Sequence, residues 1–591
     1  MAYRDVQVPR HLPPRVSSLL EVGVYFLLIL LCVGEGVPGI NESHYLPKAK
    51  HVWDSRFAAG DLFLQSHDAH YWTSALAGLA ARLLPLAGVA WLGRIVSWGL
   101  LAWAWRGLGE ALQLPKLLRP FALLSWLLGV HYGHWAGEWV VGGFEAKTLA
   151  YPLVIWGLAA MVRGQWQKVW LAMGGAMAWH PVVGGWAGLS AGLVWLAQGD
   201  LPRQFPRQLP WLLGGAALAL LGVVPAAAGL GGPDVIDNVS AAQVHVYLRL
   251  PHHLAPQLFA ASRHWAAAAS LVALLVASGV YLAGLARGPQ SQPQPQPPAQ
   301  AGGGRLSDGL GRLLLCGWIA VLFAAAGWLI DWTLSVPRPD IAARLLRFYW
   351  FRWADVAVPL VTSLVCWKAL ERGLPAASPS PSPSHSRPSS STPAQTAVPA
   401  GHPSWLARAL LVAAVAASLL GIASRLQLGQ PEVIPPADRL VVHSAGKHAA
   451  DTDRYVDWLA VCQWIRENTP PDSLWLTPKY QQSFKWHAER AEVVCWKDVP
   501  QDNAAVIEWY HRIQRCAPPR DRWGQIRSWT TDELLDLAAI YGFRWVLLDR
   551  SYQSSPPALE IKYPLIEQGQ YIDNRSFAVM YIPDALLPPA P

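Results

Sequence analysis

Long apolar runs separated by short polar loops are the feature of this sequence that most constrains its fold. Runs at about 16–34, 86–108, 210–230, 264–286 and 313–334 are each close to the roughly 20 residues that a helix needs to cross a bilayer. Inside lipid a backbone must satisfy its own hydrogen bonds, so such runs fold as helices. Only 15% of the residues are charged, against roughly 25% in soluble domains. The sequence therefore predicts a mainly α, polytopic helical membrane protein.

The basic residues of the loops predict the orientation of the chain. Arg4, Arg10 and Arg15 precede the first apolar run and no small-residue cleavage site follows it, so we expect an uncleaved anchor with a cytoplasmic N-terminus. A proline at position 181 breaks one long apolar block into two short passes or a broken hairpin. Counting all runs in this way gives about eleven transmembrane helices, the last near 405–423, with the C-terminus outside.

Composition divides the chain into two domains. Residues 1–424 form the predicted transmembrane domain, and residues 425–591 form the predicted extracytoplasmic α/β domain. In the second domain, predicted strands at Leu474–Leu476, Val493–Trp496 and Trp545–Leu548 alternate with helical stretches, which is typical of a layered α/β fold. The transmembrane domain has predicted external loops at 36–85, 131–147 and 231–263, and predicted cytoplasmic disordered linkers at 288–304 and 374–403.

Net charge and cysteine content exclude other classes of protein. The net charge of +8 does not indicate nucleic-acid binding, because the excess lies in short loops between apolar runs, where Lys and Arg set membrane orientation. The six cysteines form no disulfide framework. Cys462, Cys495 and Cys516 lie in the C-terminal domain, where one disulfide or buried thiols are both compatible with the sequence. That domain contains no dinucleotide-binding, P-loop or nucleophile-elbow motif.

An acidic, histidine-rich loop follows the first predicted span. A carboxylate at the membrane surface can act as a general base on a hydroxyl or hold a metal; the alternative is a solvated loop with aspartates in its turns. Asn41 is placed to cap a helix that begins at Glu42. Helical spacing then puts Glu42 and Tyr45 on one face and His44 on the opposite face. We therefore expect Glu42, with Tyr45 beside it, to face the site.

Further ionisable residues lie where loops meet predicted spans. Glu138, Glu145 and Lys147 belong to the second external loop, where the alternative role of the lysine is to snorkel from a helix end. His134 and Glu138 are four residues apart, a spacing that a metal pair can use but that lacks a third ligand here. His180, at the helix break, is expected either to bind substrate or to cap the carbonyls freed there.

The third external loop is basic. Arg249 can bind a phosphate through two parallel hydrogen bonds, and His252 and His253 follow it. Neighbouring residues point in different directions on regular structure, so only one of the two histidines need face a ligand.

A cluster of arginines lies at the start of the tenth predicted span, at about 348–369. Arg344, Arg347 and Arg352 are expected at the outer interface, where guanidinium groups suit a lipid-linked diphosphate or anionic headgroups. The alternative for Arg352 is that it and Asp355, three residues on, neutralise each other.

These motifs carry a resemblance to known families. A carboxylate soon after the first span (NESHYL), a second acidic external loop, about eleven spans and a C-terminal extracytoplasmic α/β domain resemble the GT-C class of membrane glycosyltransferases. NESHYL, EAKTLAYP, HPVVGGW, RLPHHLAP and FYWFRWADVAVP also resemble, over most of the chain, a bacterial family of multi-pass membrane proteins that brings no established activity. Architecture alone does not determine chemistry.

The resemblance to the GT-C class implies a reaction and a site. It implies an integral-membrane glycosyltransferase that moves a sugar from a polyprenyl-phosphate donor to an extracytoplasmic acceptor. The catalytic carboxylate of that class falls on Glu42, with Asp54 as the alternative. Arg249, with some of Arg344, Arg347 and Arg352, would stabilise the leaving phosphate. The class often has an acidic pair where this chain has a single carboxylate, so a divalent metal is possible and its need stays open.

The sequence also leads to expectations about partners and cellular location, and to an alternative function. The partners are the lipid bilayer and a polyprenyl-linked sugar, in a bacterial inner (plasma) membrane. The alternative is a non-enzymatic transporter or assembly protein for envelope polysaccharide, for which inverted repeats would be a sign and none is evident. The residues expected to bind substrate are Tyr45, Glu138, Glu145, Lys147, His180, Arg249, His252, His253, Arg347 and Arg352.

Overall fold

The computed structural model describes residues 14–199, 201–286, 308–373, 416, 434–443, 451–522, 526–552, 558–564, 566–567, 570–571 and 574–587. The two predicted linkers, 288–304 and 374–403, lie outside the described residues. All but one residue of the last predicted span, near 405–423, lie outside them as well.

The chain is a multi-pass helical membrane protein. Among the described residues, six helices are long and apolar enough to cross a bilayer. They are Pro14–Val33, Leu86–Ala111, Leu201–Ala228, Ala261–Ala286, Gly309–Leu334 and Arg352–Gly373. Their outer faces carry exposed apolar side chains such as Leu275, Val276 and Leu282, which lipid solvates and water does not. The predicted polytopic class is confirmed, and the number of about eleven spans stays a prediction.

Shorter helices fill the space between the long ones. They are Arg119–Gly133, Ala146–Val162, Trp166–Trp179 and Pro181–Leu196. The last two meet at His180, which ends one helix and caps the next, so the chain breaks where the proline at 181 predicts. Tryptophans fill much of the core between helices; the rings of Trp105 and Trp126 stack with centroids 5.3 Å apart.

The three loops that the sequence predicts to be external, called the external loops below, contain short elements. The first loop contains the helices Glu42–Trp53, Leu62–Gln65 and Tyr71–Ala81. The third contains a two-stranded ribbon, Val235–Ile236 with Val239–Ser240, then Ala241–Gln243, a π-helical segment Val244–Arg249, Pro251–Leu254 and the 3₁₀ turn Pro256–Leu258. Pro339–Leu346 precedes the tenth predicted span.

The C-terminal part contains a five-stranded mixed sheet. Its strands run in the order Ala491–Glu492, Leu474–Leu476, Trp545–Asp549, Phe577–Tyr581 and Glu560–Tyr563. The first three are parallel, and Phe577–Tyr581 is antiparallel to both of its neighbours. A separate ribbon pairs Ile566–Glu567 with Gln570–Tyr571. The strand predicted at Val493–Trp496 is wrong, because the strand is Ala491–Glu492. A last hydrogen bond joins the Val493 amide to the Trp475 carbonyl, and the chain then leaves the sheet.

Helices cover both faces of this sheet, as alternation along the strands requires. Leu547 and Val579 point to one face of the sheet and pack with the helix Asp451–Asn468, whereas Val546 and Met580 belong to the other face. The other face is covered by Asn503–Arg515 and Thr531–Tyr541; Arg439–His443 and Phe484–His487 complete the helices of this part. The predicted α/β class is confirmed. All six cysteines lie within the described residues, and none of them forms a disulfide bond there.

Candidate functional site

A polar cavity of about 600 Å³ lies between the external loops and the C-terminal domain. Nine of the ten residues expected to bind substrate line it: Tyr45, Glu138, Glu145, Lys147, His180, Arg249, His252, His253 and Arg352. The tenth, Arg347, does not. It lines a neighbouring cleft and donates a 3.1 Å hydrogen bond to Asn503.

That neighbouring cleft is apolar and has a similar volume, about 590 Å³. Its walls include the side chains of Trp186, Leu189, Val223, Phe348 and Trp350. The residues common to the cleft and the polar cavity are Tyr45, His180, His245, Tyr349, Arg352, Pro500 and Gln501. Leu189 and Phe348 are also exposed on the outside of the bundle, so the cleft adjoins the lipid-facing surface. A polar chamber and an apolar cleft with a common wall suit an amphiphilic ligand.

Glu42, the expected catalytic residue, does not line the cavity. Its carboxylate is fully buried and accepts hydrogen bonds from Arg94 Nε at 2.7 Å and Nη2 at 2.6 Å, and from the amides of Gly39 and Phe144, both at 2.7 Å. Both oxygens of Glu42 therefore have partners, and the carboxylate points toward the membrane helix Leu86–Ala111, which carries Arg94. This geometry favours a structural role for Glu42, and its predicted catalytic role stays a prediction.

The helix Glu42–Trp53 of the first loop does not present to the cavity the face that the sequence predicts. His44, expected to face away, lines the cavity together with Tyr45. The helix is buried on opposite sides, because the membrane bundle covers Glu42 while the C-terminal domain covers His44 and Lys48. Asp54, the alternative carboxylate, is exposed at the C-terminal end of this helix and lies outside the cavity.

Four charged side chains form a network across the cavity wall. Lys147 Nζ lies 3.1 Å from Glu138 Oε1 and 3.2 Å from Glu145 Oε1. Arg352 Nε lies 2.6 Å from Glu138 Oε2, and Tyr151 donates to Glu138 at 3.0 Å. Each carboxylate therefore already contacts a cation. The ammonium of Lys147 also lies 3.7 Å from the ring centroid of Trp139, which holds it in place on its remaining side.

Asp355 organises the loop that carries Glu138. Its carboxylate accepts hydrogen bonds from the amides of Ala136 at 3.1 Å and Glu138 at 3.0 Å. Arg352 pairs with Glu138 and not with Asp355, so the alternative that the two neutralise each other is wrong. Arg352 also lies over the ring of Tyr349, whose φ of +58° is a strained conformation for a bulky residue.

Close backbone contacts hold the second loop against the membrane bundle. A side chain at Gly93 would place its Cβ 2.1 Å from the Phe144 ring, and one at Gly143 would lie 2.9 Å from the Glu42 carboxyl carbon. Glycine at both positions lets Phe144 donate its amide to Glu42 and so sets the start of the helix that follows Glu145.

Two cations of the cavity have no carboxylate partner among the described residues. Arg249, at the end of the π-helical segment, donates to the carbonyls of Trp496 at 2.8 Å and Lys497 at 3.3 Å. Lys497 donates to the Asn41 side chain at 2.6 Å. Burial lowers the pKa of Arg249 and lowers that of Lys497 to about 8. Cations that are unneutralised and partly removed from water form a ready site for an anion.

Histidines line much of the remaining wall. Burial lowers the pKa of His252 to about 4 and that of His245 to about 3, and it also lowers that of His253, so these imidazoles are neutral at pH 7. Both His252 and His253 line the cavity, with ring centroids 4.1 Å apart, whereas regular structure would require only one of them to face a ligand. The irregular backbone before and within the short helix Pro251–Leu254 brings them to the same side.

The possible metal sites do not match the predicted pair. His134 hydrogen-bonds the carbonyl of His131, and Glu138 is held by Lys147 and Arg352. Among the described residues, the atoms of Glu492, Cys495 and Asp498 lie within 4.8 Å of one another. The ammonium of Lys485 already contacts both carboxylates, and Asp61 at 3.1 Å, so a cation occupies this position without any metal.

The C-terminal domain contributes a side of the cavity that the sequence did not predict. Tyr480, Gln482, Trp496, Lys497 and Gln501 line it, and all come from turns that follow two parallel strands. The carboxyl ends of parallel strands are the usual ligand-binding edge of an α/β sheet, which is the signal that would have indicated them.

Comparisons with known proteins give matches of two kinds. A family model described as a domain of unknown function (DUF6798) matches residues 456–516, within the C-terminal domain. No curated protein matches the chain in sequence.

The matches among solved structures are remote. The apo oligosaccharyltransferase of Archaeoglobus fulgidus is 10% identical with a TM-score of 0.37, covering 91% of this chain and 70% of its own. The same organism's oligosaccharyltransferase AglB, in complex with an inhibitory peptide and a dolichol-phosphate, is 10% identical with a TM-score of 0.38, covering 90% and 69%. ArnT from Cupriavidus metallidurans bound to undecaprenyl phosphate is 14% identical with a TM-score of 0.38, covering 97% and 99%. A likeness at this level assigns no role to any residue of this chain.

Proposed function

We propose that the protein is an integral-membrane glycosyltransferase that moves a sugar from a polyprenyl-phosphate donor to an extracytoplasmic acceptor. The observation that carries the proposal is the junction of the two cavities. The polar chamber contains Arg249 and Lys497, which contact no carboxylate in the part of the chain that the structure describes, and the apolar cleft beside it adjoins the lipid-facing surface. In a phosphate linked to both a sugar and an isoprenoid chain, the polar sugar and phosphate suit the chamber and the apolar chain suits the cleft.

The cationic groups are arranged to favour the departure of a phosphate. When the bond between sugar and phosphate breaks, negative charge develops on the phosphate, and fixed cations in a water-poor site stabilise that charge more in the transition state than in the ground state. Arg249 and Lys497 supply two such charges, and Arg352 lies where the chamber meets the cleft. Glu145 and Glu138 line the same chamber, and their carboxylate oxygens can accept hydrogen bonds from sugar hydroxyls in addition to their contacts with cations.

The polar chamber also supports the proposed orientation of the protein in a bacterial inner membrane, in which the predicted external loops and the C-terminal domain lie on the same side. Residues of the first, second and third external loops, His180 and the C-terminal domain all line one chamber, so they lie on one side of the bilayer. That side is extracytoplasmic if the basic N-terminal residues stay in the cytoplasm. His180 on this side is also the arrangement expected if Trp166–Trp179 and Pro181–Leu196 are two separate short passes.

Binding and turnover of lipid probes test the proposal. Purified protein in nanodiscs is expected to bind undecaprenyl phosphate and not undecaprenol, and to release or transfer sugar from one of a panel of undecaprenyl-phosphate monosaccharides labelled in the sugar. The double variant Arg249→Ala/Lys497→Ala should weaken binding of undecaprenyl phosphate at least tenfold. Arg82→Ala removes an exposed arginine outside both cavities and serves as the control.

The outcomes separate the possible functions. Binding without any transfer or hydrolysis of a labelled donor would favour the transporter or assembly protein. Equal affinity for undecaprenol and undecaprenyl phosphate would contradict a phosphate site in the chamber.

A further inference from the structure

Sugar transfer to a hydroxyl needs a group that takes the proton of that hydroxyl. The carboxylates that line the cavity among the described residues are those of Glu35, Glu138 and Glu145, and each already has a partner. Glu35 Oε1 lies 4.0 Å from Arg439 Nη1. Glu138 contacts Arg352 and Lys147 through its two oxygens. Glu145 contacts Lys147 at 3.2 Å and accepts from Asn41 at 2.8 Å. Glu42 lies outside the cavity in its ion pair with Arg94.

His44 has the geometry that these carboxylates lack. Its imidazole lines the cavity, and Nδ1 lies 2.6 Å from Asp498 Oδ1. The ring stacks on Phe63 with centroids 3.9 Å apart and meets the edge of Tyr45 at 4.5 Å, so its orientation is held on three sides. Nε2 has no hydrogen-bond partner among the residues that the structure describes.

Asp498 is itself held in place. Its second oxygen contacts the ammonium of Lys485, which also contacts Glu492 and Asp61. A carboxylate fixed in this way accepts the Nδ1 proton of an imidazole, which determines the tautomer and leaves the lone pair on Nε2. The same logic orients the histidine of hydrolytic triads.

We propose that His44, oriented by Asp498, is the general base that deprotonates the acceptor hydroxyl; this rests on the proposed glycosyl transfer. The acceptor oxygen forms a bond to the anomeric carbon while its proton passes to His44 Nε2. The bond between that carbon and the phosphate oxygen breaks, and its electron pair stays on the polyprenyl phosphate, beside Arg249 and Lys497. The imidazolium then returns its proton to the released phosphate or to water, so charge and atoms balance.

The charges around His44 keep it available as a base. Burial has the largest effect and lowers its pKa to about 4, while Asp498 opposes this, and Lys497 and Lys48 lower it further. The other groups packed on the ring are Tyr45 and Phe63, and Lys485 acts through Asp498. The imidazole is therefore neutral at pH 7, as a proton acceptor must be.

His44 and Asp498, called the dyad below, come together only when the C-terminal domain packs against the first external loop. His44 and Asp498 are 454 residues apart, and one belongs to the first external loop and the other to the C-terminal domain. The C-terminal domain is thus part of the catalytic site and not an appended module. Asp498 acts as a positioning residue, because it reaches the substrate only through His44.

The full-length protein with a labelled undecaprenyl-phosphate sugar tests the dyad. His44→Ala should lower kcat about 10²- to 10⁴-fold, the usual contribution of a general base, while affinity for undecaprenyl phosphate changes less than twofold. Added imidazole should restore part of the turnover of His44→Ala, which a merely structural role would not do. His51→Gln, on the same helix and outside the cavity, should keep wild-type turnover.

Asp498→Asn gives a second readout that does not depend on the first variant folding. Loss of the carboxylate removes the main opposition to the burial effect, so the acid limb of kcat should move to lower pH. At pH 7 kcat should also fall, because the substituted side chain no longer holds the Nδ1 proton and the imidazolium that forms loses its counter-charge. Unchanged kcat in His44→Ala, or no rescue by imidazole together with an unmoved acid limb in Asp498→Asn, would overturn the dyad and leave the proposed transfer standing. No turnover of any donor by the wild type would overturn the proposed function itself.

Discussion

Arg94 and Glu42 form a bidentate ion pair in which both side chains are almost completely removed from solvent, with N–O distances of 2.7 and 2.6 Å. The pair joins the helix Leu86–Ala111 to the start of the first external loop. A lone arginine in an apolar run needs such a partner, since an unpaired charge there is costly.

Glu42→Gln should therefore destabilise the protein. Removing one member of a buried pair leaves the other charge uncompensated, at a cost of about 3–5 kcal/mol. Thermal unfolding in detergent measures this, and the double variant Glu42→Met/Arg94→Met should recover much of the loss. An unchanged melting temperature together with abolished sugar transfer would instead support the catalytic role predicted for Glu42.

Gly93→Ala should loosen the second external loop. The added Cβ would lie 2.1 Å from the Phe144 ring, and such overpacking costs about 1–3 kcal/mol. Both the melting temperature and the affinity for undecaprenyl phosphate should fall, because Phe144 immediately precedes Glu145 of the cavity. Gly99→Ala in the same helix meets no atom within 4 Å and should leave both unchanged. Equal effects from the two substitutions would contradict this packing.

Binding of undecaprenyl phosphate should weaken as the pH rises through about 8. Burial lowers the pKa of Lys497 to about 8, so the ammonium is present below that pH and is lost above it. The dissociation constant, measured from pH 7 to 9.5, should rise by up to tenfold per pH unit above this pKa. Lys497→Arg keeps its charge throughout and should remove this dependence. A pH dependence that persists in Lys497→Arg would assign it to another group.

Lys485→Met should weaken the docking of the C-terminal domain on the first loop. Lys485 is buried between Asp61 of that loop and the carboxylates of Glu492 and Asp498. Without the ammonium three carboxylates repel one another out of water, which should cost about 3–5 kcal/mol. Faster limited proteolysis between the two parts and a lower melting temperature are the expected readouts. Lys562→Met, which removes a partly exposed pair with Glu560, is the control and should change little.

The sequence by itself determined the class of fold and identified nine of the residues that line the cavity. Apolar runs form helices in lipid whatever surrounds them, because each helix satisfies its own backbone. Nine of the ten residues expected to bind substrate line one chamber, because the loops that connect neighbouring spans on one side of a bundle meet at the same end of it. The alternation of strands and helices likewise determined the α/β class of the C-terminal part.

Only the tertiary structure decided which face of the first-loop helix meets the cavity. Both faces carry ionisable residues, Glu42 on one and His44 on the other, so periodicity cannot tell them apart. Their partners settle the matter: Arg94 lies in a distant membrane helix, and Asp498 lies in a domain 454 residues away. Burial of an ion requires a partner of opposite charge or a hydrogen-bond network, and that partner is a property of the packed molecule.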